Sequence, residues 1–524
     1  MYDYIIVGAG SAGCVLANRL TADPNCTVLL LEAGGSDQRP EVQTPAAFPN
    51  LLRTPLDWAY STEEQPHLHN RKLYWPRGKM LGGSSSLNAM VYIRGDHLDY
   101  DEWRNLGNEG WGDKDVLPYF KKAQHQERGA SKYHGSDGPL NVADPRSPNA
   151  LAYAFIAAGQ QLAIARNDDF NGTKQEGVGL VQLTQKRGQR HSSATAYLKP
   201  ILGRPNLSVL THAHATRILV EEKRAIGVTY QQNGQLHEAR AGREIILCGG
   251  AINSPQLLLL SGIGPADQLK ALELPVIVDL PGVGQNLQDH LGMAVAYHCS
   301  KPITLLQIDT FWNKLQYMFW KKGPLASNLA EAAAFVRTRP ELQLPDVEIL
   351  LVPLYLSNQP ISPAPEHSFT FVCALLRPQS SGEITLCSNN PLDPPRIQPN
   401  YLACDADLQV MIDGVKLCRR WAQTRALAPF RGEEITPGED VQSDEQIAEA
   451  IRARADTIFH PVGTCKMGND AMAVVDHELR VHGITGLRVA DASIMPTLIR
   501  GHTNAPAIMI GEKAADLVKK SVIH

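Results

Sequence analysis

The stretch YIIVGAGSAGCVLANRL, residues 4–20, decides how the N-terminal part of this chain folds. Its apolar start predicts a strand over residues 4–7, followed by a glycine turn and a helix. Gly8, Gly10 and Gly13 form the pattern G-x-G-x-x-G. The first glycine allows the tight turn, the second lets a pyrophosphate approach the backbone, and the third lets the helix pack closely on the strand. The pattern therefore predicts that phosphates bind at the positive N-terminal end of this helix.

A second apolar stretch, TVLLLEAGG, ends at Glu32, nineteen residues after Gly13. A carboxylate at this distance is expected to bind a ribose diol. Strand, turn, helix, second strand and acid follow one another in the order that the fingerprint requires. We therefore predict a dinucleotide site rather than a chance glycine turn. The fingerprint by itself fits FAD and NAD equally well.

Length and composition are those of an ordinary globular protein. The 524 residues predict two domains, or one large domain with an insertion. The hydrophobic share is 43% and the charged share is 20%, both typical of globular proteins. A net charge of -4 provides no basic field for nucleic acid, so we expect no nucleic-acid partner.

Three features of the sequence favour a cytoplasmic location. No run of 18 or more apolar residues is present that could span a membrane. The first residues, MYDYIIVGAG, carry an acid where a signal peptide would carry lysines, and a strand is predicted almost at once. The nine cysteines are odd in number and include no C-x-x-C pair, which favours reduced thiols.

Several elements are predicted further along the chain. Asn233 and Gly234, between alternating runs, indicate a two-residue hairpin. The run REIILC indicates a buried strand, and NSPQLLLLS indicates a helix with Asn253 or Ser254 as its N-cap. The last seventy residues contain APAIMIGEKAADLVKK, which predicts a helix with cations at its end.

Residues 293–455 differ in character and predict a second domain. They contain several prolines, the strand-like runs SFTFVCALLRP and GEITLCS, and the helical stretch DADLQVMIDGVKLCRRWAQ. Residues 34–79 are instead rich in Pro, Asn and Arg and show little periodicity. A stretch of this length is more often functional than idle, and it could cover a bound cofactor.

Four ordered motifs make the chain resemble the glucose–methanol–choline (GMC) oxidoreductases over nearly its whole length. They are GKMLGGSSSLNAMVYIRG at residues 78–95, GAINSPQLLLLSGIG at residues 250–264, HPVGTCKMG from His460, and TNAPAIMIGEKAADL from Thr503. LPGVGQNLQDH and GEITLCSNNPLDPPRIQPNYL are also similar to this family. Within the family, the chain is most similar to the bacterial choline and primary-alcohol dehydrogenases.

The resemblance implies a fold of class α/β with mixed α+β character. It implies a Rossmann-type FAD-binding domain and a substrate domain built on an antiparallel sheet backed by helices. We expect the FAD-binding domain to comprise residues 1–150, 191–292 and 456–524, the last part with the active-site motifs. The substrate domain is expected to comprise residues 151–190 and 293–455.

The fingerprint and the resemblance together imply a set of cofactor contacts. These are Gly8, Gly10, Ser11, Ala12, Gly13, Glu32, Ala33, Arg77, Gly78, Gly82, Gly83, Ser84, Asn88, Ala89, Met90, Val91, Ala215, Asp491, Ala492, Thr503, Asn504 and Ala505. The cofactor is expected to be FAD, held without a covalent bond. Some family members tether the flavin through a histidine before the asparagine of this loop, but here that position is Leu87, which has no nucleophile.

His460 has several interpretations from the sequence alone. A lone histidine is most often a packed or exposed residue. A metal site is poorly supported, since no H-x-x-x-H, H-E-x-x-H or paired-cysteine spacing occurs, and two histidines in THAHAT do not make a site. Cys465 is interpreted as a packed thiol. With the resemblance, His460 is expected to be the general base that takes the hydroxyl proton of an alcohol, a task suited to a neutral imidazole.

Two residues near the C-terminus remain open between roles. The resemblance makes Asn504 the second catalytic residue, holding the substrate oxygen through its amide, while its position also suits a helix cap. Both roles can coexist. His502 stands where related sequences often have asparagine, and it could modulate the pocket or face solvent.

The stretch DTFWNKLQYMFWKKGPL spans residues 309–325. Its apolar residues recur at helical spacing and predict a helix within residues 308–322. We favour a helix packed on the substrate domain. The alternative is an interfacial helix that contacts the inner face of a membrane to reach a quinone.

The expected function is FAD-dependent oxidation of a primary alcohol to an aldehyde by hydride transfer to flavin N5. A second well-formed G-x-G-x-x-G is absent, which suggests that the substrate itself reduces the flavin. The electrons are expected to pass to a quinone or another non-NAD acceptor. The alternatives are an oxidase that reduces O2 to H2O2, an FAD-containing hydroxynitrile lyase without redox chemistry, and, on the fingerprint alone, an NAD-dependent dehydrogenase.

Overall fold

Two seven-stranded sheets organise the residues that the computed structural model describes, 1–356 and 366–521. We call them the mixed sheet and the antiparallel sheet. The strands of the mixed sheet run in the order Leu207–Leu210, Val28–Leu31, Tyr2–Val7, Gln235–Leu247, Arg224–Gln232 and His214–Glu221, with Leu487–Val489 paired to Gln235–Leu247.

The centre of the mixed sheet is parallel and buried. Tyr2–Val7 pairs in parallel with Val28–Leu31 on one side and with Gln235–Leu247 on the other. The helix Ser11–Leu20 follows the first strand, so the predicted strand, turn, helix and strand are confirmed. The third glycine is needed for packing, since a Cβ on Gly13 would lie 1.9 Å from the carbonyl oxygen of Gly8. Parallel strands buried on both faces explain why these runs are continuously apolar.

The predicted two-residue hairpin is confirmed. Arg224–Gln232 and Gln235–Leu247 are antiparallel, and Gln232 pairs with Gln235. Asn233 and Gly234 both have positive φ angles, 53° and 77°, as a type I′ turn requires.

The helix after REIILC begins earlier than the sequence predicts. It spans Gly250–Leu260, so Asn253 and Ser254 lie inside it instead of capping it. The reason is a carboxylate from a distant segment, since Asp491 Oδ2 accepts hydrogen bonds from the Gly250 amide (2.8 Å) and from Ser254 Oγ (2.6 Å). A tertiary partner thus replaces the local cap.

In the antiparallel sheet every strand pairing is antiparallel. Its order is Arg431–Thr436, Leu291–Cys299, Ser368–Leu375, Val347–Val352, Ala332–Val336 and Gly177–Leu180, with Asp456–Thr457 paired to Leu291–Cys299. The helices Ala150–Gln161, Asp405–Ala422 and Asp444–Arg454 pack on one face. The predicted fold class is therefore confirmed, with an antiparallel sheet backed by helices beside a nucleotide-type sheet. The domain boundaries within the chain stay a prediction.

The remaining α-helices are Pro40–Gln43, His97–Asn105, Asp113–Ala123, Ala266–Ala271, Phe311–Trp320 and Asn504–Lys520. The C-terminal helix packs on Ser11–Leu20. Two-stranded ladders join Tyr60–Ser61 with Tyr74–Trp75, Gln124–Gln126 with Leu140–Val142, Gln185–Lys186 with Gln189–Arg190, Ile263–Gly264 with Val278–Asp279, and Glu383–Thr385 with Arg396–Gln398.

The helix Phe311–Trp320 turns its apolar side outward. Tyr317 is buried, and its hydroxyl donates to the carbonyl oxygen of Gly188 at 3.2 Å. Between 58% and 76% of the surface is exposed in Phe311, Trp312, Met318, Phe319 and Trp320. The favoured interpretation, a helix that packs its apolar face on the protein, is therefore wrong. Among the described residues no helix is long and apolar enough to cross a membrane.

Each of the nine cysteines is free in the structure. Cys465 is completely buried, as expected of a packed thiol.

Candidate active site

A cavity of about 500 Å³ lies between the two sheets. At one end it meets the C-terminal ends of the parallel strands, at Val7 and Leu31, and at the other it meets the antiparallel sheet. Leu350, Val352 and Val372 face it from that second sheet. Ligands of open parallel sheets bind outside the carboxyl ends of the strands, which is where this cavity begins.

Glu32 lines the end of the cavity that begins at the parallel strands, which we call the nucleotide end. Its Oε2 accepts from the Ala9 amide (2.9 Å) and its Oε1 from the Gly34 amide (2.8 Å). Each carboxylate oxygen keeps further lone pairs, so a ribose diol can still bind. Burial raises the pKa of Glu32 to about 7, against the lowering effect of these amides. A buried carboxylate at this place fits the ribose of a dinucleotide.

A second glycine contact holds the loop of residues 78–88 against the fingerprint turn. A Cβ on Gly83 would lie 2.8 Å from Gly10 Cα, and a Cβ on Gly78 would lie 2.2 Å from the Gly83 carbonyl oxygen. These close approaches need glycine. They bring the GKMLGGSSS motif beside the turn where phosphates are expected.

Arg190 supports this loop from beneath and is fully buried. Its guanidinium donates to the carbonyl oxygens of Val42 (2.9 Å) and Ser85 (3.1 Å) and to Asn88 Oδ1 (2.9 Å). Burial lowers the pKa of Arg190 to about 9. The arginine therefore serves to shape the loop, with neutral oxygens as its partners.

Most residues of the predicted cofactor set line the cavity. They are Gly8, Gly10, Ser11, Ala12, Glu32, Ala33, Arg77, Gly78, Gly83, Ser84, Asn88, Ala89, Met90, Val91, Ala215, Asp491, Ala492, Thr503 and Asn504. Three lie behind the wall, namely Gly13, Gly82 and Ala505. Gly13 serves helix packing, and the Gly82 amide donates to the carbonyl oxygen of Ala9 at 2.7 Å. That these residues contact the cofactor remains a prediction.

His460 lines the opposite end of the cavity. Its backbone amide donates to Asp289 Oδ1 at 2.6 Å. Asp289 Oδ2 accepts from the hydroxyls of Tyr401 and Thr457. Burial raises the pKa of Asp289 to about 6, opposed by these hydrogen bonds. The buried carboxylate thus fixes the backbone of His460 in place.

Arg77 fixes the residue before the histidine. Phe459 has a positive φ of 70°, which is uncommon for a bulky residue. Its carbonyl oxygen accepts from Arg77 Nη2 at 2.6 Å. This hydrogen bond compensates the unfavourable backbone, so Arg77 helps to place His460 as well as lining the cavity.

Two more imidazoles surround His460. His290 is fully buried, and its Nδ1 lies 2.9 Å from His460 Nδ1. The His502 ring meets the His460 ring edge-on at a centroid distance of 4.7 Å. Burial lowers the pKa of His460 well below its ordinary value of 6.5, and His502, His290 and Arg77 lower it further. The imidazole is therefore neutral at physiological pH, as a proton acceptor must be.

His502 belongs to the pocket. It lines the cavity, and its Nε2 lies 2.9 Å from Oε1 of Glu348. Glu348 is completely buried, and its Oε2 has no hydrogen-bond partner among the described residues. Of the two possibilities left by the sequence, the pocket position is the one that the structure has.

Asn504 lies in the cavity wall at the first residue of the C-terminal helix. Its Oδ1 accepts from Ser11 Oγ at 2.7 Å, and the N-cap is Thr503, which makes no side-chain cap bond. The side chain therefore joins the two helices that begin at the cavity instead of capping its own helix. Both helix N-termini face the cavity and favour negative charge there.

Asp289, His290 and Glu348 were missed by sequence reasoning. The first two end the motif LPGVGQNLQDH, whose likeness to the family carried no role. Glu348 is a lone acid in Val347–Val352, a strand whose other residues are all apolar. An acid in a fully buried strand was a usable signal, because burying an unpaired carboxylate is costly.

The arrangement combines a dinucleotide end with a neutral base at the other end. Within residues 1–356 and 366–521, no group of three His, Cys, Asp or Glu side chains is placed to hold a metal ion. The residues are suited to accepting a proton beside a long, bound cofactor.

Comparisons with known proteins agree with this geometry. The GMC oxidoreductase family is matched by its N-terminal model over residues 2–292 and by its C-terminal model over residues 378–511. The alcohol dehydrogenase [acceptor] of Pseudomonas putida is 47% identical over 532 aligned residues, covering 100% of this chain and 96% of that protein.

Two further relatives are similar over nearly all or all of their lengths. An oxygen-dependent choline dehydrogenase of Pseudomonas fluorescens is 47% identical, covering 99% of this chain and 94% of that protein. The solved structure of an FAD-dependent oxidoreductase from Chaetomium thermophilum superposes with a TM-score of 0.92 at 27% identity, covering 100% of both chains.

Proposed function

The chain belongs to the GMC oxidoreductase family, and on that premise we propose that it oxidises a primary alcohol to an aldehyde with FAD as cofactor. The family and the names of its relatives support FAD-dependent oxidation of alcohols in broad terms. The observation that carries the finer proposal is His460, a neutral imidazole on the wall of the cavity that begins at the dinucleotide fingerprint.

His460 acts as the general base. It accepts the hydroxyl proton of the alcohol while the carbon loses a hydride, since a base within reach of the proton lowers this barrier. When bound, FAD supplies the N5 atom that takes the hydride. Asp289 and Arg77 hold the N–H and the C=O of the peptide group between Phe459 and His460, which keeps the base in a fixed position.

The other end of the cavity holds the cofactor. Glu32 would bind the ribose diol, and the amides at the start of Ser11–Leu20 would hold the pyrophosphate. Asn504 is proposed as the second catalytic residue, holding the substrate oxygen through its amide. The free amides at the start of Asn504–Lys520 would stabilise negative charge that develops on the reduced cofactor.

We propose that the FAD is not covalently bound. Leu87 lines the cavity at the position from which some family members form a bond, and a leucine side chain offers no nucleophile.

The substrate end of the cavity favours an apolar alcohol. The antiparallel sheet contributes Gly292, Ala294, Leu350, Val352 and Val372 to its wall, and all five side chains are apolar or absent. Apolar walls with a few polar groups at one point fix the orientation of a ligand. We therefore propose a primary alcohol with an apolar chain, oriented by His460 at its hydroxyl end.

The proposed electron acceptor is a quinone or a similar carrier. The relatives' names point in two directions, to an unnamed acceptor in one protein and to oxygen in another. A second candidate, supported by the latter name, is an oxidase that reduces O2 to H2O2. We favour the carrier because the exposed apolar helix Phe311–Trp320 would bring the enzyme to a quinone pool.

We propose a cytoplasmic enzyme with a peripheral contact, through residues 308–322, to the inner face of a membrane. The outward apolar side of Phe311–Trp320 supports this contact. Residues 308–322 carry Lys314, Lys321 and Lys322 and one carboxylate, Asp309, which forms an ion pair with Lys314 at 2.8 Å. Aromatic residues beside lysines are typical of helices that lie in the interface of an anionic bilayer. The helix is also close to the cavity in sequence, as Asn328 lines the wall.

The proposal is tested by anaerobic bleaching of the flavin with a panel of alcohols that includes aliphatic primary alcohols and choline. We expect an aliphatic primary alcohol to bleach it, and His460→Ala to retain FAD but reduce it about 10²–10⁴-fold more slowly, the usual cost of losing a general base. A protein that keeps its yellow colour with every alcohol would contradict the oxidation and favour a lyase. Near-normal reduction in His460→Ala would remove His460 from the role.

A further inference from the structure

We infer that His290 is a positioning residue that fixes the tautomer of His460. It thereby makes Nε2 the one atom of His460 that can accept a proton. In this arrangement His460 carries its proton on Nδ1 and keeps the Nε2 lone pair free for the alcohol. The role in catalysis rests on the proposed function, whereas the tautomer is a property of the resting protein.

The chain of hydrogen bonds begins at a backbone carbonyl. His290 Nε2 lies 3.0 Å from the carbonyl oxygen of Leu376. A carbonyl oxygen can accept a hydrogen bond and cannot donate one. The proton of His290 must therefore be on Nε2.

His290 has one proton to place, because its ring is neutral. It is completely buried, and burial, with a smaller contribution from His502, lowers the pKa of His290 to about 3. In a neutral imidazole one nitrogen donates and the other accepts. With Nε2 donating to Leu376, His290 Nδ1 is an acceptor.

His460 must then donate to it. The two Nδ1 atoms are 2.9 Å apart, and the rings meet edge-on at an interplanar angle of 81°. Two acceptors cannot share this contact, so the proton between them belongs to His460 Nδ1. The reverse assignment would turn a His290 lone pair towards the Leu376 oxygen and leave both groups unpaired in the protein interior.

The antiparallel sheet fixes the backbone of His290 opposite that of Leu376. Gly292 pairs with Ala374, and His290 and Leu376 each lie two residues further along in the same register. The neighbouring Asp289 holds the His460 amide at 2.6 Å. Two consecutive residues thus fix both the backbone and the ring of His460.

The proton balance of the reaction follows from this assignment. The O–H bond of the alcohol breaks and its proton forms a bond to His460 Nε2, while the hydride leaves the carbon for FAD. His460 then carries a positive charge and still donates from Nδ1 to His290. No further oxidant is needed for this step.

The tautomer can be measured directly with [15N]histidine in the purified protein. The two nitrogens of His460, assigned by their loss in His460→Asn, have distinct 15N chemical shifts when protonated and unprotonated. We expect a protonated Nδ1 and an unprotonated Nε2 near neutral pH. A protonated Nε2 would overturn the inference, even if alcohol oxidation were established. The expected tautomer in a protein that no alcohol reduces would instead refute the function alone.

Two variants test the role of His290. His290→Leu removes the acceptor, so we expect a mixture of His460 tautomers and an about 10–100-fold lower limiting rate of flavin reduction, the usual effect of losing a partner that orients a reactive group. The alcohol concentration for half-maximal reduction should change little. His290→Gln keeps both a hydrogen-bond acceptor and a donor, so it should reduce the flavin at least about tenfold faster than His290→Leu. If both variants lose the rate equally and retain the wild-type 15N signals of His460, His290 does not act through the tautomer. If His290→Leu does not fold, the wild-type 15N measurement still decides.

Discussion

At the scale of single residues, the cluster of His290, His460 and His502 sets the pH range of the proposed reaction. Burial, together with His502, His290 and Arg77, lowers the pKa of His460 well below 6.5, so the ring takes up a proton only when the pH falls well below 6.5. The rate of flavin reduction should therefore stay on its plateau through pH 6.5 and fall in more acidic solution. A solvent-exposed histidine would give the same acidic limb at a higher pH, centred near its ordinary pKa of about 6.5.

His502→Gln tests the origin of this shift. Because His502 lowers the pKa of His460, its removal should raise that pKa and move the acidic limb of the rate profile upward, towards pH 6.5. The measurement is the pH dependence of the anaerobic reduction rate by stopped flow. His69→Gln, a change at the surface, serves as the control. An unchanged limb in His502→Gln would mean that His502 does not influence the pKa of His460.

Leu87 gives a second prediction at this scale. The leucine side chain cannot form a bond to the flavin, so precipitation with acid should release the yellow colour into the supernatant. Absorbance spectra of the supernatant and of the dissolved pellet measure the distribution. Flavin that stays in the pellet would show a covalent bond to another residue.

Sequence reasoning found the residues that short motifs mark and missed their partners. His460 and Asn504 were found because they stand in contiguous motifs of the family. His290 and Glu348 act through residues 170 and 154 positions away. Such contacts are produced by the register of the antiparallel sheet, which a single sequence does not specify.

At the scale of elements, the outward helix Phe311–Trp320 makes a prediction about lipid. Replacing Trp312 and Phe319 by serine should weaken binding to vesicles with anionic lipid at least about tenfold, because each large apolar side chain contributes about 1.5–3 kcal/mol when it leaves water and about 1.4 kcal/mol is tenfold. Vesicle co-sedimentation at several lipid concentrations measures the binding.

Leu236→Ser is the matched control, since Leu236 is an apolar residue of similar exposure outside this helix. It should leave vesicle binding unchanged. Binding should also fall with added salt, as expected for lysines near an anionic surface. The wild-type protein could instead fail to bind the vesicles and form a dimer that is lost in Trp312→Ser. That result would assign the helix to a contact between two copies of the chain.

Among the elements, those decided by local pattern were predicted well. The first strand and helix, the Asn-Gly hairpin and the long helix Asp405–Ala422 follow from periodicity and turn residues. The start of Gly250–Leu260 could not be predicted, because its cap comes from Asp491. The prediction that the apolar face of Phe311–Trp320 packs on the substrate domain was also wrong. Periodicity locates an apolar face on a helix but does not show what covers that face.

At the scale of the whole molecule, the prediction concerns the electron acceptor. The enzyme is first reduced with an alcohol under anaerobic conditions and then mixed with either air-saturated buffer or a quinone analogue. We expect slow reoxidation by oxygen and fast reoxidation by the quinone, in keeping with the proposed membrane contact. Rapid reoxidation by oxygen with one peroxide per flavin would make the protein an oxidase.

The two-sheet architecture was predictable from the sequence because the motifs are ordered and specific. The cavity between the sheets was less predictable. Its walls combine residues that are far apart in the chain, such as Glu32, Leu350, His460 and Asn504. Packing decides which of them face the same space, and single-sequence patterns carry no such information.

The pairing of Tyr2–Val7 with Gln235–Leu247 has a consequence for biosynthesis. The first strand leaves the ribosome long before its neighbour is translated, and Leu487–Val489 completes the sheet only near the end of synthesis. The growing chain must therefore carry the apolar strand Tyr2–Val7 without this partner through nearly half of translation, and Gln235–Leu247 without Leu487–Val489 through most of the remainder. Both states favour aggregation. Slow translation or limiting chaperone capacity should lower the yield of this protein more than that of a chain whose strands pair with close neighbours.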